Sequence, residues 1–206
     1  MAKLAYVLPI LLATACSAPK ASPEPSAPTP TSTSSAPALK EAAPLEKQPL
    51  AAAGGLTWNA RSPLLARKPK SSMRAAEYGL ASDPQAELSV FYFGEGQGGD
   101  VEANITRWLG QLSQSDGSDT AKRAKRSERT VADVQVTLVE ATGMFSGGMA
   151  MPGAPAPTPQ PDAMMLGAIA AGPKGPLFFK LVGKRSSVEE ARAAFDALID
   201  SLRPAS

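Results

Sequence analysis

Hydrophobic positions are distributed in three distinct ways along the chain. Residues 4–12 form one short apolar run, residues 17–53 carry almost no patterned apolar residue, and from Leu56 onward the pattern alternates between periods of two and of 3.6. In that last part Leu56-Thr57-Trp58 reads as a short strand, followed by a Pro-bearing basic stretch through Arg61, Pro63, Arg67, Lys68, Pro69 and Lys70. Met73 to Leu80 reads as a strand with Asp83-Pro84 as the turn behind it. Ala86 to Phe93 sets Ala86, Leu88, Val90 and Tyr92 against Glu87, Ser89, Phe91 and Phe93. Its second half is apolar on both faces, which predicts a central strand covered on both sides.

A helical period then takes over. Asp100 is placed to cap a helix whose Val101, Ile105, Trp108, Leu109 and Leu112 share one stripe. Ser113 to Thr120 is polar and loop-like. Arg129–Val131 and Val134–Phe145 read as two strands joined tightly at Ala132-Asp133, and 147–161 reads as a long Gly, Met, Ala and Pro insertion. Ala163–Ala171 and Pro176–Val182 form a strand pair around the turn Gly172-Pro173-Lys174-Gly175. Ser187-Val188-Glu189-Glu190 has the form of a capping box opening a last helix, with Val188, Ala191, Phe195, Leu198, Ile199 and Leu202 as its core stripe and Pro204 stopping it. Hairpin-scale connections imply an α+β fold: an antiparallel sheet flanked by two amphipathic helices, preceded by a disordered linker.

The order of elements resembles the PsbP/Mog1 type of α+β domain. Ser71-Ser72-Met73-Arg74, Ala86 to Phe93, Asn104 to Trp108, Ala168 to Gly172 and Phe178-Phe179-Lys180 are similar to segments of a group of uncharacterised bacterial lipoproteins thought to carry such a domain. The resemblance spans about Leu56 to Leu202 and rests on core patterns, so it implies a fold and transfers no catalytic or ligand-binding residue.

The N-terminal pattern bears on location. Lys3, the apolar run Leu4–Leu12 and Ala13-Thr14-Ala15-Cys16 have the order of a secretory signal ending at a cysteine. The run is too short to span a bilayer as a helix, which takes about 20 residues. Cys16 is the only cysteine of the chain and resembles the lipid-bearing residue of a lipobox, although Ala13 stands where a larger aliphatic residue is usual. Ala13-Thr14-Ala15 also suits an ordinary secretory peptidase, so cleavage after Ala15 with release is the alternative to lipidation at Cys16. The expected organisation is a signal peptide at 1–15, a lipid-anchored Ala/Pro/Ser-rich linker at 16–54 and a domain at 55–206. The expected site is the cell envelope, with Ser17 pointing to the outer membrane facing the periplasm. A linker of this composition cannot bury enough apolar surface to order itself. As a flexible coil it reaches roughly 30–35 Å, and as extended polyproline about 115 Å.

Charge and chemistry narrow the function further. Lys3, Lys20, Lys40 and Lys47 precede the domain, which leaves it seventeen basic residues against sixteen acidic ones. No single-sign field therefore points to a polyanion, and export removes nucleic acid as a partner. The chain contains no histidine, which excludes Ser-His-Asp and Cys-His units, His-bearing metal sites and a histidine pH switch. No cofactor or metal is expected. Gly94-Glu95-Gly96-Gln97-Gly98-Gly99 satisfies G-x-G-x-x-G between a strand and a helix. It lacks the following parallel strand with its acidic residue, and Glu95 and Asp100 put negative charge where a phosphate would sit; a glycine connection is expected. Lys122, Arg123, Lys125 and Arg126, with Arg129, form a basic run that either contacts an anionic surface or is a solvated loop and strand edge whose charges discourage edge pairing. Arg61, Arg67, Lys68, Lys70 and Arg74 would extend that surface if the fold joined the two clusters. Trp58 and Trp108 are expected in the core. Met144, Met149, Met151, Met164 and Met165 are core and loop residues or a soft binding rim beside the insertion.

These readings converge on a non-enzymatic interaction or assembly module, anchored to the membrane through an N-terminal lipid and binding an unknown envelope protein. The alternative is a small-ligand or lipid carrier, with its space between the sheet and the methionine-rich insertion, beside Met164 and Phe179.

Overall fold

The computed structural model describes residues 51–147 and 158–205. The signal peptide, Cys16 and nearly all of the linker lie outside them, as do Met149 and Met151. The elements run β1 (Ala51–Ala53), β2 (Leu56–Trp58), β3 (Leu64–Arg67), β4 (Arg74–Leu80), β5 (Glu87–Tyr92), α1 (Val101–Leu109), β6 (Leu112–Ser113), α2 (Thr120–Arg123), β7 (Lys125–Val131), β8 (Val134–Phe145), β9 (Gln160–Gly172), β10 (Gly175–Lys184), α3 (Arg185–Asp200) and β11 (Arg203–Pro204). Among the described residues the main sheet has the order β3-β4-β5-β10-β9-β8, with β6 and β7 both pairing along the far side of β8; every pairing is antiparallel. The fold is therefore α+β, an antiparallel sheet with an amphipathic helix on each face. A second small sheet, β1-β2-β11, ties the two ends of the described chain together.

The period-two pattern sorts side chains onto the two faces. One face sends Leu88, Val90, Leu177, Phe179, Leu181, Met164, Leu166 and Ala168 against Val188, Ala191, Phe195, Leu198 and Ile199 of α3. Leu56 and Trp58 close this core from the small sheet. The Trp58 Nε1–H donates to the Tyr78 hydroxyl at 2.9 Å, and the indole meets Phe179 edge-on at 5.4 Å between centroids. The other face packs Val139, Ala141, Met165, Ile169 and Phe178 against Ile105, Trp108 and Leu109 of α1. Gly167 of β9 makes that docking possible: a Cβ there would stand 2.7 Å from Trp108 Cζ3 and from Val139 Cγ1.

Local signals explain the tight connections. Ala132 and Asp133 both have positive φ (46° and 64°) between the paired Val131 and Val134, the backbone of a two-residue hairpin matched to strand twist. Asp100 caps α1, its carboxylate accepting from Ala103 N–H at 2.7 Å.

Several expectations need correction. Strand structure is already present at Ala51, where β1 pairs with β2, four residues before position 55. The basic stretch after Asn59 contains β3, whose Leu64 is buried against the α3 core. In the basic run the strand-edge reading holds, with β7 starting at Lys125, but Lys122 and Arg123 lie in α2 and not in a loop. The insertion ends earlier than expected, because β9 starts at Gln160. Helix α3 begins at Arg185 with no side-chain cap, so Ser187 is a buried residue of its first turn and not the head of a capping box.

Candidate functional site

Helix α1 docks mainly on β8 and β9 of its face and reaches β10 through the contact of Trp108 with Phe178. Over β4, β5 and much of β10 the sheet is left open, and a cavity of about 380 Å³ lies there between the strands and α1. Its floor is set by register. Across the strands, Glu77, Ser89, Lys180 and Gly167 form one row, and Phe91, Phe178 and Ile169 the next. Phe93, Trp108, Phe145 and Val182 add apolar wall, and Asn104, Arg107 and Gln111 of α1 add polar wall.

The aromatic end is built by contact between rings. Phe91 and Phe93 stack at 6.0 Å, Phe93 tilts onto Phe178 at 5.6 Å, and Trp108 meets Phe178 edge-on at 6.4 Å. Phe93 remains 39% exposed at the rim.

The polar end divides into a neutralised cluster and an unneutralised pair. Glu77, with a side chain only 1% exposed, pairs with Arg74 at 2.6 Å and Lys70 at 3.6 Å, and accepts the Lys70 backbone N–H at 2.9 Å. Arg74 also reaches Glu87 at 2.7 Å, and Lys70 pairs with Glu87. These two carboxylates and two cations balance. Burial pushes the Glu87 carboxyl up, but hydrogen bonds from Lys70 and Ser89 and the Arg74 charge together hold it below its ordinary value.

Lys180 and Arg107 are different: among the described residues neither makes an ion pair with a carboxylate. Lys180 Nζ donates to Gln111 Oε1 and sits 5.3 Å from the centroid of Phe145. Burial, with Arg107 and Arg74 adding to it against Glu87, pulls the Lys180 ammonium down from 10.5 to about 8. Arg107 donates to Asn104 Oδ1, and the Asn104 amide is held by the carbonyls of Gly98 (2.7 Å) and Asp100 (2.8 Å). The glycine segment 94–99 thus orients Asn104 and, through it, Arg107. Gly98, at φ +97°, lets the loop pass Phe178, where a Cβ would come within 2.8 Å of the ring.

Ser89 and Lys180 are direct cross-strand partners, the one place where a nucleophile and a base of depressed proton affinity lie side by side among the described residues. Their hydrogen bonds point elsewhere. Ser89 Oγ donates to Glu87 Oε1 at 2.8 Å and Lys180 to Gln111, so neither activates the other. No group of three or more carboxylate, His or Cys side chains that could hold a metal occurs among the described residues.

None of the basic run lines this groove. Arg123 pairs with Asp116 (2.5 Å), Lys125 with Glu140 (3.2 Å), Arg126 with Glu102 (2.6 Å) and Arg129 with Asp200 (3.2 Å), while Lys122 lies exposed on α2. The cluster around β3 and β4 is at the opposite edge of the sheet. Six strand steps separate β3 from β7, about 29 Å at about 4.8 Å per step, so the two clusters do not form one surface. Met164 and Phe179 are buried beneath α3; the open space lies on the other face, over Phe178 and Lys180. Lys180 and Arg107 were not singled out from sequence. The available signal was a lysine inside the apolar run Leu177–Val182 of a central strand.

An antiparallel α+β domain with a cationic, aromatic groove under a half-covering helix is the class that fold and site define. No protein-family model matches the sequence, and no curated protein matches it. Among solved structures the chain is similar to the solution structure of cyanobacterial PsbP (CyanoP) from Synechocystis sp. PCC 6803, with a TM-score of 0.48 and 10% identity over 80% of this chain and 96% of that one.

Proposed function

We propose that the protein is a non-enzymatic binding module of the bacterial cell envelope, tethered by a lipid on Cys16 through residues 16–54, and that the groove beneath α1 is where it takes its ligand. The observation that carries the reading is the groove itself: a cavity of about 380 Å³ lined by five aromatic rings, with Lys180 set among them. Its hydrogen bonds hold Ser89 and Lys180 apart chemically, which favours binding over turnover. A cavity of this size suits a small molecule, so among the two envelope roles the small-ligand carrier gains weight over protein assembly. The tether reading rests on the order of Lys3, Leu4–Leu12 and Cys16.

Two experiments test these parts separately. Cys16→Ser should abolish lipid labelling and release the protein from membranes; retained labelling contradicts the anchor. A photoreactive phenylalanine analogue at Phe93, on the rim, should yield an adduct in cells, and the mass of the adduct distinguishes a small ligand from a protein. Yields no higher than from the same analogue at Arg126 would contradict the groove.

A further inference from the structure

We infer that the groove takes an organic anion: a small amphipathic molecule whose acidic head lies between Lys180 and Arg107 and whose apolar body lies along Phe91, Phe93 and Phe178. The inference rests on the groove being the binding site and adds the chemical class of what it binds.

Charge complementarity is the first argument. Every other charge at the polar end is matched, Arg74 and Lys70 by Glu77 and Glu87. Among the described residues, Lys180 and Arg107 are left with amide oxygens, those of Gln111 and Asn104, and no carboxylate. Residues 148–157, which join β8 to β9 next to the groove residues Phe145 and Gln160, contain no acidic residue to complete the pairing. A mostly buried ammonium without a counter-ion is unfavourable, and an acidic ligand would supply one.

Shape is the second argument. The row of Phe91 and Phe178 adjoins the row of Ser89 and Lys180 on the same strands, so an apolar body on the rings places a head group one residue pair, about 7 Å, farther along the strands. Burial, and after it the Arg107 charge, depresses the proton affinity of Lys180. A bound anion would raise it again, so binding and proton uptake would be coupled. The charged groups that act on Lys180 are Arg107 from α1, Glu87 from β5 and Arg74 from β4.

The test uses residues 16–206 with Cys16→Ser, which needs no detergent if the lipid is the only anchor, and two fluorescent probes of one ring skeleton. One is 8-anilinonaphthalene-1-sulfonate, ionised at every working pH; the other is the neutral N-phenyl-1-naphthylamine. The sulfonate should bind about tenfold or more tighter than the neutral probe at pH 7, the scale of a charge-assisted hydrogen bond. Lys180→Met should weaken the sulfonate about tenfold and the neutral probe less than about twofold. Arg107→Gln, a change on an exposed side chain that leaves the fold intact, should weaken the sulfonate alone. Wild-type affinity for the sulfonate should fall as pH rises through about 8, and Lys180→Arg should bind with no such fall. Equal affinity for the two probes, or parallel losses of both in Lys180→Met, would overturn the anion while leaving a groove that binds apolar molecules. Absence of binding by either probe would overturn the site as well.

Discussion

Lys180→Met should make the domain more stable at neutral pH, although it removes the residue on which anion binding depends. The ammonium's proton affinity falls from 10.5 to about 8 in the folded protein, first through burial and then through Arg107 and Arg74. At about 1.4 kcal/mol per pH unit, that difference amounts to about 3 kcal/mol of destabilisation by the buried charge. Methionine fills a similar volume without the charge. It gives up the hydrogen bond to Gln111, worth about 1 kcal/mol, which leaves a net gain of about 2 kcal/mol at pH 7. The pH dependence carries the diagnosis. Below about pH 8 both folded and unfolded chains hold the Lys180 proton and the full penalty applies. Between about 8 and 10.5 the folded chain gives up its proton first, so wild-type stability rises with pH relative to the variant. By pH 10.5 the advantage of methionine should be gone. Burial pushes the Tyr78 hydroxyl up, but that contribution is common to both proteins and cancels in the difference. Urea unfolding followed by tryptophan fluorescence at pH 7, 8, 9 and 10 measures the gap directly. A variant less stable than wild type at pH 7, or a gap that does not change with pH, would refute the reasoning.

Other substitutions probe the frame around the groove. Gly167→Ala puts a methyl group 2.7 Å from Trp108 and Val139 and should cost about 1–3 kcal/mol, with a shift of Trp108 emission; an unchanged unfolding midpoint would show that α1 does not dock there as described. Glu77→Ala removes a buried carboxylate from two cations and a backbone N–H and should cost about 3 kcal/mol, whereas Lys125→Ala at the exposed edge should cost less than about 0.5 kcal/mol; similar losses from both would contradict the contrast in burial. Because Lys70, Ser89 and Arg74 hold the Glu87 carboxyl below its ordinary 4.5, its contribution is complete above that value and is lost as pH falls further. Acid unfolding of Glu87→Gln should therefore show a shallower slope below pH 4.5 than wild type.

What could be read in the sequence was whatever depends on neighbours in the chain. The stripe of α3 from Val188 to Ile199, the cap at Asp100 and the hairpin at Ala132-Asp133 are local patterns, and they stand in the structure as expected; Leu202 is buried too, but beyond the helix, which ends at Asp200 before Pro204 is reached. Strand β3 was hidden because Pro63, Arg67 and Pro69 outweigh the two apolar residues Leu64 and Leu65 in any short window. The capping box failed for a related reason: four residues matched the motif, but the N-cap of α3 is Lys184, three residues before Ser187. The groove was illegible because its parts come from β4, β5, α1, β8, β9 and β10, and only register brings Ser89 opposite Lys180. The same holds for the basic run, whose charges meet Glu102, Asp116, Glu140 and Asp200, residues set beside it by folding. Sequence shows which charges exist, and the fold decides which of them remain unmatched.

The most direct measurement is backbone amide NMR of the chain before and after addition of a small-molecule extract of the cell envelope. The account predicts that shift changes concentrate at Ser89, Phe91, Gln111, Phe178 and Lys180. Changes concentrated instead along Lys125–Val131, or none beyond those seen with extract buffer, would contradict it.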